Sequence, residues 1–434
     1  LRSAMGIGNS KGGRYVDDLA NSYQDREEME SETKYTIETL EKYGLYLKSH
    51  SFAVSGKEPA KEISKDGTVG IGSYIWYPES DHFSCNAPIL FIGNKVRGSY
   101  TNLKVFEGTT EQELYNFFPK DFTLRETLSR VASHYDAGIG ILTPLIAELR
   151  GYVRESMLAN RTSNGETNWE ASISETTLKQ ICKVMIEIIK ASKFKFPRCQ
   201  IRGELRQGKG TLLTFVDSGD FETIVIYISF ETQYGNSCSL VTAKSYLKKG
   251  EITVPKSELS ACALGAQVTA QVRENLDEYI SDVYLFSDSS ISIGWIGNHT
   301  GVLLPFHRNR VAAVLDVFDK ENVYHVVTSE NPADLISRKG IKAEVLGPEG
   351  SFYNGRPWIL EGMTGAEAQG IIKGIEGFSR GRVEDNLQFK EGLKIKMFED
   401  KNIDILRKIR DPEGNCHEHL PLVEQLGHGG HRLS

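Results

Sequence analysis

Apolar and β-branched residues in the second half of the chain form three consecutive strand patterns. Residues 211–216 have this pattern and are followed directly by Asp217. Residues 221–230 and 237–247 repeat it, with a Gly-Asn turn signal at 235–236 between them. We therefore predict an antiparallel meander of three strands, with Asp217 at the mouth of the first strand.

Helical and strand patterns then alternate. Pro255 and Ser257 are helix-start signals, and the apolar residues that follow recur at helical spacing. This pattern predicts a helix with Glu258 in its first turn. Residues 283–286 read as a short buried strand, which places Asp288 just past its end and before another helix.

One more strand and one more helix are predicted further along the chain. Residues 323–328 have the strand pattern. Asn331 can cap a helix that has Pro332 at its first position, and this would leave Asp334 in the first turn. Gly340 is a suitable stop for that helix.

The first half of the chain has mainly helical patterns. Residues 25–43 predict a charged amphipathic helix, and residues 123–160 and 174–193 also have helical periodicity. Before these helices, Tyr15-Val16-Asp17-Asp18 lies between a glycine pair and the first helix. Paired aspartates in such a hairpin suit the binding of a nucleotide's metal ions.

Four acidic residues occupy the ends or beginnings of the later elements: Asp217, Glu258, Asp288 and Asp334. A single aspartate at such a place is more often a helix cap or a solvated surface charge, so only the set indicates chemistry. Four convergent carboxylates cannot all stay ionised unless cations neutralise them. Two Mg²⁺ or Mn²⁺ ions, about 4 Å apart, would do so, and hard oxygen ligands favour these metals over zinc.

The order of strands and helices resembles the ribonuclease H fold, and the Tyr-Val-Asp-Asp motif upstream of it resembles reverse transcriptases. More narrowly, the chain resembles the pol polyprotein of BEL/Pao-type long-terminal-repeat retrotransposons. The stretches that carry this resemblance are YVDDLANSY at 15–23, LSRVASHYDAGIGILTPLIAELR at 128–150, FSDSSISIGWI at 286–296, FHRNRVAAV at 306–314, HVVTSENPADLISRKG at 325–340 and GPEGSFYNGRPWIL at 347–360.

The resemblance implies a multidomain α/β protein with four regions. These are a truncated reverse-transcriptase palm and thumb at 1–118, a helical connection at 119–205, a mixed-sheet ribonuclease H-like domain at 206–345, and a tail at 346–434. Asp17 and Asp18 would correspond to the polymerase metal pair. Asp217, Glu258, Asp288 and Asp334 would correspond to the ribonuclease H tetrad, which hydrolyses the RNA strand of RNA–DNA hybrids with Mg²⁺ or Mn²⁺.

Two departures from the family pattern limit these expectations. Only 14 residues precede Tyr15, so most of the polymerase has no place in this stretch, and we expect no polymerase activity from it alone. The loop between Val327 and Asn331 lacks the histidine that many cellular ribonucleases H carry before the last aspartate, so we expect slow turnover. Expected partners are the RNA–DNA hybrid and other parts of the same polyprotein.

The charge balance changes the expected mode of binding. The 434 residues carry a net charge of −7, which is unusual for a binder of nucleic acid, whose affinity comes mostly from phosphate contacts. A basic track must therefore be local. The candidates are Lys244, Lys248, Lys249, His307, Arg308 and Arg310.

The remaining composition indicates an intracellular protein. No apolar run is long enough to span a membrane, so we expect no membrane partner and a cytoplasmic location, such as a virus-like particle. The six scattered cysteines favour free, buried thiols. Near the end, Cys416 and four histidines could begin an integrase-type zinc module: His417, His419, His428 and His431. The stretch contains no C-x-x-C pair to complete such a site, so we expect a flexible tail there rather than a zinc module.

Two alternatives stay open. Asp217-Ser218-Gly219 also fits the motif of aspartic peptidases, in which two such aspartates share a proton, although the sequence holds no second copy downstream. The chain could also be a catalytically inactive retroelement relic that binds nucleic acid.

Overall fold

The computed structural model divides the chain into two compact units, Leu1–Ser379 and Arg380–Ser434. All described residues lie in the first unit: 13–15, 18–20, 26–46, 67–71, 74–85, 91–92, 102–103, 108–118, 122–132, 138–198, 209–232, 235–248, 252–276, 279–297, 303–362 and 366–375.

The described chain begins with a short hairpin and a helix. Strands β1 (Gly13–Tyr15) and β2 (Asp18–Ala20) pair antiparallel, with Tyr15 opposite Asp18. Helix α1 (Arg26–Lys42) follows, as the sequence predicted. Asp17 lies outside the described residues, and so does the side chain of Asp18.

A small antiparallel sheet follows, in the order β3-β4-β5-β8. Its strands are β3 (Val69–Ile71), β4 (Tyr74–Tyr77), β5 (His82–Cys85) and β8 (Phe196–Pro197), and a separate pair is formed by β6 (Phe91–Ile92) and β7 (Asn102–Leu103). The ring of Tyr74 packs edge-on against Phe83, and its hydroxyl accepts the amide N–H of Ile139 at 2.6 Å. Tyr74 therefore has a packing role.

The described residues between β7 and β8 form four helices: α2 (Glu111–Asn116), α3 (Leu124–Ala132), α4 (Thr143–Ala159) and α5 (Glu175–Ala191). The prediction of helix throughout 123–160 is wrong at 138–142, which is irregular. Here Gly140 has φ +82°, and a Cβ on it would lie 2.1 Å from the carbonyl oxygen of Ala243. The amide of Ala243 donates to the carbonyl of Ile139 at 2.7 Å. This backbone contact with a neighbouring strand replaces the helical hydrogen bonds.

The large sheet has six strands in the order β11-β10-β9-β12-β13-β14. They are β9 (Gly210–Ser218), β10 (Phe221–Thr232), β11 (Gly235–Leu247), β12 (Ile280–Ser287), β13 (Val323–Val326) and β14 (Ile372–Gly374). β9, β10 and β11 form the predicted antiparallel meander, while β12 runs parallel to both β9 and β13. The sheet is therefore mixed. Gly235 and Asn236 were predicted as the turn but are the first paired residues of β11.

Seven helices complete the described part of the chain: α6 (Val254–Leu276), α7 (Ser290–Gly297), α8 (Pro305–Leu315), α9 (Asp334–Ser337), α10 (Ser351–Asn354), α11 (Pro357–Glu361) and α12 (Ala366–Ile371). Glu258 was predicted in the first turn of this helix, but it is the fifth residue of α6 and lies just past that turn. Asn331 is not the cap of α9, which begins at Asp334 after Ala333.

Both faces of the large sheet are covered. On one face, Leu212 and Val216 of β9 belong to a core with Leu259 and Cys262 of α6 and with Val311 of α8. Because successive side chains of a strand alternate, Leu213 and Phe215 point to the other face.

On that second face, Leu213 and Phe215 belong to a core that includes buried residues of α4, α5, α10 and α11. Trp358 of α11 is 1% exposed and packs edge-on against Phe215 and Phe286. The helices before the sheet and the segment after residue 345 therefore share one hydrophobic core with it.

Two further expectations concern thiols and membranes. Cys85, Cys182, Cys238 and Cys262 are buried thiols outside any disulfide, as predicted, whereas Cys199 and Cys416 lie outside the described residues. Among the helices of the described chain, none combines the length and apolar character needed to cross a bilayer.

Candidate active site

Asp217 lies at the end of β9 and is half-buried. Its Oδ2 accepts a hydrogen bond from the Ser337 hydroxyl at 2.9 Å. Burial raises the pKa of Asp217, and the negative charges of Asp288 and Asp334 raise it further. The hydrogen bonds from Ser337 and from the Ser218 amide oppose this shift only in part.

Glu258 approaches the same region from α6. Its Oε2 accepts a hydrogen bond from the Ser289 hydroxyl. Burial raises the pKa of Glu258, the hydrogen bond from Ser289 opposes the shift, and the charges of Asp288 and Asp217 add to it. The start of α6 is tied to β9 by a hydrogen bond between the hydroxyls of Ser257 and Ser218.

Asp288 follows directly after β12, the strand beside β9. Its backbone carbonyl oxygen lies 3.1 Å from Nε2 of His325 on β13, and it can only accept in that contact. Burial lowers the pKa of His325, although the contacts with Asp288 oppose this shift. Because β9 and β12 are parallel, Asp217 and Asp288 lie at the same edge of the sheet.

Asp334 is the first residue of α9, and its Oδ2 accepts a hydrogen bond from Nε of Arg338 at 2.6 Å. Two buried polar residues position the turn before it. Nδ2 of Asn331 donates to the carbonyl of Val216 at 3.0 Å, and the Thr223 hydroxyl donates to the carbonyl of Ala333, also at 3.0 Å. The chain before Asp334 is therefore fixed to β9 and β10.

The structure thus brings the four carboxylates to one edge of the sheet, where their charges influence one another. In the described part of the chain, no three Asp, Glu, His or Cys side chains lie close enough to hold one metal ion as they stand. Asp217, Glu258 and Asp334 instead take hydrogen bonds from Ser337, Ser289 and Arg338. The donor set nevertheless fits a hard divalent cation, because it offers oxygen ligands and crowded negative charge.

A basic and aromatic cluster lies between α6 and α8, which we call the basic shelf: Lys256, Phe306, His307 and Arg310. The guanidinium carbon of Arg310 lies 3.5 Å from the centroid of the Phe306 ring, and Nζ of Lys256 lies 5.5 Å from it. Nε of Arg310 also donates to the Ser260 hydroxyl of α6 at 2.7 Å. His307 and Arg310 were among the candidates for a basic track.

His307 of the shelf is buried and lies edge-on to Trp295. Its pKa is lowered, first by burial and then by the positive charges of Lys256 and Arg310. Lys248, another candidate for the basic track, lies near enough to Glu258 for its positive charge to lower the pKa of that glutamate slightly. Lys249 lies outside the described residues.

Sequence reasoning missed Lys256 and the residues that bind the carboxylates, namely Ser289, Ser337 and Arg338. Ser289 and Arg338 had a local signal, since one follows Asp288 and the other lies one turn after Asp334. The contact of Ser337 with Asp217 joins distant parts of the chain, so no local sequence signal could have indicated it. The peptidase alternative is not favoured, because Asp217 is surrounded by the other three acidic residues rather than by a second motif of its kind.

Residues 123–289 match the family model described as the Pao retrotransposon-like RNaseH-like domain. The match includes Asp217, Glu258 and Asp288 and ends before Asp334. The match covers less than half of the chain and supports a ribonuclease H-like domain, a kind of domain associated with hydrolysis of nucleic acid. The comparison with curated protein sequences gives no match.

Among solved structures, the chain is similar to the crystal structure of RNase H1 from the halophilic archaeon Halobacterium salinarum NRC-1. The two share 14% sequence identity over 29% of this chain and 91% of that chain, with a TM-score of 0.18. This TM-score is too low to support a shared fold. The fold is instead defined by the strand order described above.

Proposed function

We propose that this chain is part of a BEL/Pao-type retrotransposon polyprotein and hydrolyses the RNA strand of RNA–DNA hybrids with Mg²⁺ or Mn²⁺. One observation carries this proposal. Asp217, Glu258, Asp288 and Asp334 come from four different parts of the chain and meet at one edge of a mixed sheet. The first three lie within the ribonuclease H-like match, and Asp334 lies beyond its end.

The four carboxylates would hold the metal ions. Bound divalent cations would activate a water molecule and stabilise the charge that develops on the leaving oxygen. The residues around the carboxylates orient them: Ser337 fixes one oxygen of Asp217, Ser289 fixes one oxygen of Glu258, and Arg338 fixes Asp334.

Binding of the hybrid would use local positive charge. Lys256 and Arg310 of the basic shelf can contact phosphates, while the overall charge of −7 keeps nonspecific binding weak. Such a nuclease reads backbone shape and 2′-hydroxyl groups, so we expect little sequence preference. Residues 327–331 contain no histidine, and we expect slow turnover because no imidazole there can protonate the leaving oxygen.

Asp17 and Asp18 are proposed to belong to a polymerase metal pair whose other parts come from elsewhere in the polyprotein. The His-rich stretch at 417–431 lies outside the described residues, and whether it begins an integrase zinc module stays open. The boundaries at 118, 205 and 345 stay predictions, and the cytoplasm or a virus-like particle is the proposed location.

Cleavage of a labelled RNA–DNA hybrid by the purified chain tests the proposal. We expect RNA-strand cleavage with Mg²⁺ or Mn²⁺, none with EDTA, and none with duplex DNA or duplex RNA. Asp288→Asn should reduce the rate at least about a hundredfold, since it removes a proposed metal ligand. Asp282→Asn changes an exposed aspartate on the same strand and should leave the rate unchanged. A folded chain that leaves the hybrid intact would refute the proposal.

A further inference from the structure

The helix that carries Asp334 cannot hold its own position. α9 has only four residues, and an isolated helical turn is unstable in water. The hydrogen bonds of Asn331 and Thr223 described above fix the chain before it to the sheet. Other contacts must fix the chain after α9.

Two backbone amides after α9 donate to carboxylates of the preceding helices. The amide of Gly340 donates to Oε1 of Glu148 on α4 at 3.0 Å. The amide of Ala343 donates to Oε2 of Glu187 on α5 at 2.8 Å. A hydrogen bond from an N–H to a carboxylate is about twice as strong as one between neutral groups.

Both glutamates are buried, each only 6% exposed. Burying a carboxylate costs several kcal/mol unless hydrogen bonds or cations compensate it. Glu187 is compensated by the Ala343 amide, by Lys190 at 2.9 Å and by Lys342 at 3.7 Å. Oε2 of Glu148 has no hydrogen-bond partner in the described part of the chain, so its compensation is incomplete. Simple packing would favour an apolar residue at both positions.

Two lysines that follow α9 also form ion pairs, Lys339 with Glu155 and Lys342 with the buried Glu187. Both side chains of the Lys339 pair are about half-exposed, so this pair adds little to stability. The two buried amide contacts, together with the packing of Ile341 and Ala343 in the shared core, therefore hold residues 338–343 against the helices.

We infer that Glu148 and Glu187 are positioning residues that hold the segment after α9 so that Asp334 stays beside Asp217. This inference rests on the proposed function, because it assigns a purpose to the position of Asp334. It also gives the helices before the sheet a direct part in the nuclease site. Neither glutamate touches the four carboxylates in the described contacts, so both act through the segment 338–343.

The test uses the full chain with Glu148→Ala, Glu187→Ala and the two corresponding Gln variants. Glu155→Gln is the matched control, since it removes an exposed carboxylate of α4 that pairs with the same segment. The readouts are amide hydrogen exchange at Gly340 and Ala343, Mn²⁺ affinity by titration calorimetry, kcat and KM for the hybrid, and Tm.

We expect each Ala variant to lose protection at its own amide. Mn²⁺ affinity and kcat should fall about 10- to 100-fold, which is the usual effect of residues that orient metal ligands. KM for the hybrid should change less than twofold. The Gln variants should recover part of the loss, because an amide oxygen still accepts the N–H. The control should match the original chain in every readout.

Two results would overturn the inference. One is unchanged protection at Gly340 and Ala343 in the variants. The other is loss of that protection with normal Mn²⁺ affinity and kcat, which would show that the segment does not position Asp334. A loss that follows Tm alone, with a normal kcat per folded molecule, would likewise indicate a merely structural role. If the original chain neither binds Mn²⁺ nor cleaves the hybrid, the proposed function is refuted. Amide exchange at Gly340 and Ala343 would still show whether their hydrogen bonds to Glu148 and Glu187 form.

Discussion

Asp217 is held in an environment that opposes its ionisation. Its pKa is raised by burial and by the neighbouring charges of Asp288 and Asp334. A carboxyl whose pKa is raised on folding contributes stability below its unfolded pKa, and this contribution is lost as the pH rises through the folded pKa. Without metal, ionisation of Asp217 above its raised pKa therefore destabilises the fold relative to a neutral side chain.

We predict that Asp217→Asn raises the Tm of the metal-free chain by a few degrees at pH 7, because it removes this charge. The difference should shrink as the pH falls toward 3.8, the ordinary value for aspartate. Calorimetry in EDTA measures it. Mn²⁺ should raise the Tm of the original chain and not of the variant. Asp220→Asn, an exposed position three residues on, serves as the control. A lower Tm for Asp217→Asn would contradict the prediction.

Glu187 shows the opposite shift. Burial alone would raise its pKa, but the Ala343 amide, Lys190 and Lys342 together lower it. Its contribution to stability is therefore present above about pH 4.5 and is lost as the pH falls through the lowered pKa. We predict that Glu187→Gln costs about 1–3 kcal/mol of unfolding free energy at pH 7. Urea titrations should show a smaller cost below pH 4. A cost that does not depend on pH would contradict the role of the charge.

At the residue scale, local patterns place the four acidic residues near the boundaries of elements but do not reveal the distant residues that contact them. Each carboxylate stands at the boundary of an element, which hydrophobic periodicity reveals. Ser337 contacts Asp217, and Asn331 contacts Val216, from more than a hundred residues away. Contacts of that kind depend on how strands are ordered in the sheet, which a local pattern does not contain.

Between elements, the close approach of α6 to β9 places Glu258 near Asp217. A Cβ on Gly265 of α6 would lie 2.6 Å from Cγ1 of Val216, so the helix and the strand pack without room for a side chain. We predict that Gly265→Ala costs about 1–3 kcal/mol, because the buried Val216 must move or the helix must shift outward. Chemical denaturation measures the cost.

Gly151 provides the matched control for this substitution, since it also lies inside a helix, α4. A Cβ there would meet only an edge of the Phe221 ring at 4.0 Å. Gly151→Ala should stabilise the chain by about 0.5–1 kcal/mol, because glycine is a poor helix former. If both variants gained stability alike, the approach of α6 to β9 would be looser than the structure describes.

The sequence predicted the long elements, and among the short ones it predicted β13 and the helix that carries Asp334 but not β14. The strands β9, β10 and β11 and the helices α5 and α6 each contain enough periods to be recognised from sequence. α9 and β14 have four and three residues, and their formation depends on the neighbours against which they pack. The break at 138–142 likewise follows from pairing with β11, which overrides the local helical pattern.

On the scale of the whole molecule, the large sheet depends on chain segments at both of its ends. Buried residues of α4 and α5 and of the segment 346–375 form one core with the second face of the sheet. The match to the ribonuclease H-like family begins at residue 123, before α3, and so includes the first of these segments. The sequence-based boundaries followed the motifs, and motifs do not reveal which helices cover a sheet.

This shared core leads to a prediction about truncation. A chain that ends at Val345 lacks Phe352, Tyr353 and Trp358, each only 1% exposed. Loss of one large aromatic core residue costs about 3–5 kcal/mol, and the whole fold is stable by only about 5–15 kcal/mol. We predict that this chain loses cooperative unfolding and nuclease activity together.

A chain that ends at Ser379, where the first compact unit ends, should keep both properties. Thermal unfolding and hybrid cleavage by the two truncated chains measure the difference. Activity in the chain that ends at Val345 would mean that the sheet can cover its second face with α4 and α5 alone. The stacked pair Phe215 and Phe286, whose centroids lie 4.6 Å apart, would then have to tolerate exposure on the side that Trp358 covers. Those rings belong to β9 and β12, the two strands that end at Asp217 and Asp288, so their exposure should disturb the site before it unfolds the helices.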